Sequence, residues 1–73
     1  MAANIKAHIT GTVWKIEVAV GDTIAEGTVV MILESMKMEM PVESDDAGRI
    51  TEILVKEGQA VKEGEPVATI ELD

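Results

Sequence analysis

The chain is 73 residues long and carries fourteen Asp and Glu against six Lys and Arg, a net charge of −8. That charge repels nucleic acid and anionic membrane surfaces and favours a partner with basic patches. With no Cys and a single His, His8, disulfide frameworks and thiol catalysis are excluded and no metal-ligand set is expected.

The length fits one domain spanning 1–73, with no room for a catalytic cleft of ordinary depth. The opening MAANIKAHIT lacks both the basic start and the long apolar run of a signal peptide. No segment reaches the roughly 20 apolar residues of a membrane span, so a cytoplasmic protein is expected. The only aromatic residue is Trp14, and the core falls to Val, Ile, Leu, Met and Ala. β-branched residues in short runs favour strands, hence an all-β fold.

In chain order, Asn4 to Ile9 reads as a first strand with Ile5, Ala7 and Ile9 on one face. Val13 to Val18 reads as the second, followed by a turn at Gly21-Asp22, an inward Ile24 and a turn at Glu26-Gly27. Val29 to Ser35 is the next strand. Beyond it Met38, Met40 and Val42 alternate with Glu39, Pro41 and Glu43, the period of a strand with one buried face. Asp45-Asp46-Ala47-Gly48 turns the chain into Ile50 to Val55, then Gly58-Gln59, Val61, Glu63-Gly64 and a last strand at Pro66 to Glu71.

The glycines show that this order is a repeat. Gly11, Gly21 and Gly27 each recur 37 positions on, as Gly48, Gly58 and Gly64, and Ile16/Ile53, Val18/Val55, Glu26/Glu63, Val30/Val67 and Glu34/Glu71 match at the same offset. Two such units sharing one core make a pseudo-twofold pair. The stretch after Glu34 has no counterpart after Glu71, so it reads as an added feature joining the halves. Equivalence of Glu34 and Glu71 puts it and the chain ends at opposite poles.

That stretch is Glu34 to Met40, ESMKMEM. By propensity Ile32 to Met40 could form a helix, with Ile32, Leu33, Met36 and Met40 on one face. Pro41 and the alternation beyond Lys37 favour a β-hairpin with Met36-Lys37 at its tip, although neither Gly nor Asn supplies positive φ there. A short helical hairpin remains the alternative. Met36 and Met38 either stand exposed, as apolar residues do where something binds, or plug the end of the core beside an ordinary surface lysine.

ESMKMEM between two glycine-marked halves resembles the attachment site of the biotinyl/lipoyl domain family, and its Met-Lys-Met centre resembles the biotinylated branch. The likeness runs from about Ile5 to Leu72. It implies a flattened barrel-sandwich of two four-stranded sheets, with biotin in amide linkage to Lys37 on a hairpin opposite the termini. It further implies a non-catalytic, monomeric, free-standing carrier that takes a carboxyl group from a biotin carboxylase to a carboxyltransferase after a biotin protein ligase has acted on it. Met36 and Met38 would set the specificity of modification, and Glu34 and Glu39 are candidates for ligase recognition. The segment AHITG lacks the prolines often found there in the family, which leaves the path of Ala7 to Thr10 open.

The rival within the fold is a lipoyl carrier of a 2-oxoacid dehydrogenase complex, with lipoate on Lys37; Met36 and Met38 argue against it. The rival of another class is an unmodified interaction or assembly module of the same fold. His8 reads as a surface residue, and Trp14, matched by Thr51 in the second half, as cover for a sheet edge.

Overall fold

The computed structural model describes residues 1–73 and contains eight strands and no helix. They are β1 (Ala2–Lys6), β2 (Gly11–Ile16), β3 (Thr23–Ile24), β4 (Val29–Ser35), β5 (Met38–Glu43), β6 (Gly48–Ile53), β7 (Ala60–Val61) and β8 (Pro66–Leu72). Two antiparallel four-stranded sheets form, in the orders β1-β8-β6-β3 and β5-β4-β2-β7. The helical alternative for residues 32–40 is thereby removed, because residues 29–35 and 38–43 are paired strands that bury Met31, Leu33 and Val42 in one core.

Each strand of one sheet has its counterpart 37 residues away in the other. The matched residues Val13/Ile50, Ile24/Val61, Val30/Val67, Leu33/Ile70 and Val42/Ile5 are all buried and together make most of a single core. Met31 and Ala68 are equivalent and both buried, so the larger side chain of one half is matched by the smaller of the other. Even the irregularities repeat, since a register shift at Val13/Lys15 recurs at Ile50/Glu52.

The turns explain the glycines. Gly21, Gly27, Gly58 and Gly64 have φ between 87° and 96°, the third position of a type II turn, which an L-residue adopts only under strain. The residue after each glycine fastens its turn: Asp22, Thr28, Gln59 and Glu65 accept, through side-chain oxygens, the amides of Ala19, Ala25, Lys56 and Lys62. The halves then exchange elements. β3 of the first half pairs with β6 of the second, and β7 of the second with β2 of the first. The amide of Gly21 donates to Ile50 O and that of Gly58 to Val13 O, so neither half completes its sheet alone.

Three expectations are corrected. The first strand ends at Lys6 and Ile9 lies outside it. Ala7 leaves the sheet edge because its amide bonds Glu65 O, and its carbonyl accepts the Gly64 amide, instead of continuing the β1–β8 ladder. Second, the flanks of the lysine stretch have a counterpart although its turn has none: Ser35 pairs with Met38, and at the equivalent place Leu72 N donates to Met1 O at 2.7 Å. Third, Trp14 lies on no edge strand: it stands at the bulge of β2, between β4 and the short β7, and is 48 % exposed.

Candidate functional site

β4 and β5 run antiparallel with Leu33 opposite Met40, Glu34 opposite Glu39 and Ser35 opposite Met38. That register leaves two residues, Met36 and Lys37, to reverse the chain. They are the only non-glycine residues at positive φ, 52° and 64°. Two successive left-handed residues define the type I′ turn, whose twist matches the strands it joins. Neither Met nor Lys is β-branched, so both enter this region at the ordinary L-residue cost of about 1–2 kcal/mol each. The hairpin holds them there because the strands on either side are paired up to the turn itself.

The turn projects its side chains. Met36 is 91 % exposed, Met38 62 %, and Lys37 is exposed. Lys37 has no carboxylate within ion-pair reach, since the one ion pair of the molecule joins the Met1 ammonium to Glu71 Oε1 at 2.8 Å. The methionines do not plug the core. With Met40, Ile9 and Ser35 they line a shallow apolar hollow of about 190 Å³ at the base of the turn.

Glu34 and Glu39 face each other across the two strands, one pair below Ser35 and Met38. Side chains so placed have Cβ atoms about 4.5–5.5 Å apart, and like charges directly opposite are destabilising. The hairpin thus carries two adjacent carboxylates beneath an unpaired ammonium. In the second half, Glu71, the equivalent of Glu34, is held below its ordinary pKa of 4.5 by the hydrogen bond and charge of the Met1 ammonium.

The strand order brings Gly11 to the base of the hairpin. A Cβ there would lie 2.6 Å from Glu34 O and 3.4 Å from Ser35 Cβ. Gly11 and Ile9 are site residues that the motif reading missed. A glycine at the first position of a strand signals close backbone approach; nothing in the local pattern of Ile9 points to the hollow, which exists only because residues 7–10 cross to this end.

The remaining groups do not converge. His8 lines a polar groove with Lys6, Glu43 and Asp45, away from Lys37, and no cluster of His, Asp and Glu could hold a metal. No helix is long and apolar enough to cross a membrane. All five lysines are exposed, and the one at the hairpin tip, Lys37, offers an amine for acylation with no nucleophile–base pair beside it.

Residues 1–70 match the biotin/lipoyl family, described as "Biotin-requiring enzyme". The chain is 44 % identical over 62 residues to the biotin/lipoyl attachment protein of Bacillus subtilis, covering 85 % of each chain. It is 44 % identical over 70 residues to the biotin carboxyl carrier protein of Streptococcus mutans, covering 94 % of this chain and 54 % of that one. Among solved structures it is similar to the urea carboxylase of Kluyveromyces lactis, with a TM-score of 0.91 and 39 % identity over 97 % of this chain and 6 % of that one.

Proposed function

We propose a function from one premise: the chain belongs to the biotin/lipoyl family of biotin-requiring enzymes. It is a carrier of covalent biotin, and the residue we assign to the attachment is Lys37. The observation that carries the assignment is the turn itself, an exposed and unpaired lysine on a two-residue hairpin midway between the repeats. When bound, the group supplies carboxyl transfer from a biotin carboxylase to a carboxyltransferase, chemistry that belongs to the cofactor and to those enzymes rather than to this chain.

The residues of the chain do the presenting. β4 and β5 hold Lys37 at a fixed point, and the lysine stem extends the reach of whatever is attached to Nζ. Tethering raises the concentration of the attached group at both enzyme sites by linkage alone. Before acylation the ammonium must lose its proton to a base of the biotin protein ligase, because the hairpin has no base of its own within reach. Met36 and Met38 give the turn an apolar face that we assign to ligase specificity, and Glu34 and Glu39 an acidic one. Partners with basic surfaces fit a chain of charge −8. We place the carrier in the cytoplasm as a single monomeric domain, residues 1–73, without catalytic activity of its own.

The test is the intact mass of the protein coexpressed with a biotin protein ligase. We expect one biotinyl increment, later elution on anion exchange because one positive charge is lost, and neither change in Lys37→Arg. An unmodified or lipoylated mass in the presence of active ligase would overturn the reading.

A further inference from the structure

The internal twofold makes each sheet a control for the other. On the outer face of the sheet that bears the hairpin, Ile32 of β4 lies opposite Pro41 of β5 on one side and Lys15 of β2 on the other, with Trp14 at the adjoining bulge. Trp14 and Pro41 are exposed and Ile32 is half-buried, and none of the three belongs to the core. The equivalent row on the other sheet is Thr51, Thr69 and Asn4. There Thr51 Oγ1 donates to Thr69 O at 3.2 Å and Thr69 Oγ1 to Asn4 Oδ1 at 3.3 Å. Folding therefore does not require apolar side chains at these positions, and one face carries them where its twin is polar.

We propose that the Trp14–Ile32–Pro41 row is the docking surface for the biotin protein ligase, met by an apolar patch with a Lys/Arg rim. This rests on the reading that Lys37 is the attachment site. Charge selects the occupant. Glu34 lies two residues from Ile32 on β4, and Glu39 and Glu43 two residues either side of Pro41 on β5, all exposed on the same face, with Lys15 the cation beside them. A second copy docked face to face would set these carboxylates against their own kind, whereas a basic rim neutralises them.

Reach selects the ligase among basic partners. The bare lysine stem extends only about 6 Å, so the enzyme that acylates it must bring its surface down around the hairpin. The row lies four residues, about 13 Å, below the turn on the same strands. Enzymes that meet the longer, biotinylated arm need not come so close.

The test is steady-state biotinylation of the purified, unmodified chain by a biotin protein ligase with ATP and labelled biotin. The variant Trp14→Thr/Ile32→Thr/Pro41→Asn copies the residues of the other sheet, and Glu52→Gln on the opposite face is the control. We expect KM for the protein to rise at least tenfold in the triple variant with kcat within twofold, and neither to change in Glu52→Gln. If wild type takes biotin and the triple variant keeps its KM, the docking surface is refuted while the attachment reading stands; if wild type takes none, both fall. Should the variant melt below assay temperature, 5-fluorotryptophan at Trp14 decides: its ¹⁹F line must shift or broaden on adding ligase, and a line unmoved at saturation refutes the proposal. A concentration-dependent dimer of wild type that the triple variant abolishes would assign the row to self-association instead.

Discussion

Gly11 and Glu34 meet backbone to backbone at the foot of the hairpin, so closely that a Cβ on Gly11 would stand 2.6 Å from the Glu34 carbonyl oxygen. Gly48 stands in the same relation to Glu71, closer still. Gly11→Ala is therefore expected to cost about 1–3 kcal/mol through overpacking against backbone that cannot yield. For a domain of this size each kcal/mol lowers the thermal midpoint by about 4–8 °C. Gly48→Ala should destabilise at least as much. Only Gly11→Ala, beside the hairpin, should also slow modification of Lys37, and equal slowing by both would show that lost stability alone is responsible.

Met36 offers a test in the opposite direction. At φ 52° it holds a conformation that Asn tolerates better. Met36→Asn is expected to stabilise the domain by about 0.5–1 kcal/mol, raising the midpoint by several degrees. The same substitution removes an apolar side chain that is 91 % exposed, so biotinylation should slow while stability rises. A lowered midpoint would contradict the left-handed turn.

Glu34 and Glu39 repel across the strands. Glu39→Lys turns the repulsion into attraction and should gain about 0.2–1 kcal/mol at low ionic strength, shrinking as salt screens the pair. The ligase should bind the variant more weakly. Unfolding curves at low and high salt, run beside ligase kinetics, separate the two effects; a midpoint that falls at low salt would refute the cross-strand repulsion.

Glu71 gives the chain a pH dependence whose sign follows from its lowered pKa. The unfolded chain binds the proton first, so the contribution of this carboxylate is present above the ordinary value of 4.5 and is lost as pH falls through the lower folded value. Glu71→Gln should flatten the acid limb of the stability profile and leave stability near neutrality little changed, because the pair is exposed. A steeper acid limb in the variant would reverse the assignment.

What the residues alone carried was the repeat and its consequence. Glycines that hold positive φ in type II turns or admit a backbone neighbour cannot be exchanged for other residues without strain, so their 37-residue recurrence survives as a readable mark. Two-residue periodicity around Met40 and Pro41 likewise sufficed to choose strand over helix, and with it the all-β fold, because burying one face of a strand is a local property of the sequence.

Other features arise from pairings between residues far apart in the chain, and no local pattern encodes them. The left-handed Met36-Lys37 turn is set by the register of β4 against β5, which overrides the turn preferences of the two residues themselves. Ile9 reaches the hollow beneath Met36 only because Ala7 bonds to Glu65 and Gly64 at the other end of the sequence. The apolar row of Trp14, Ile32 and Pro41 comes from three strands, and its polar twin from three more. Lys37 could be singled out from its neighbours in the chain; the surface on which it is presented is made by residues that meet only in the folded sheet.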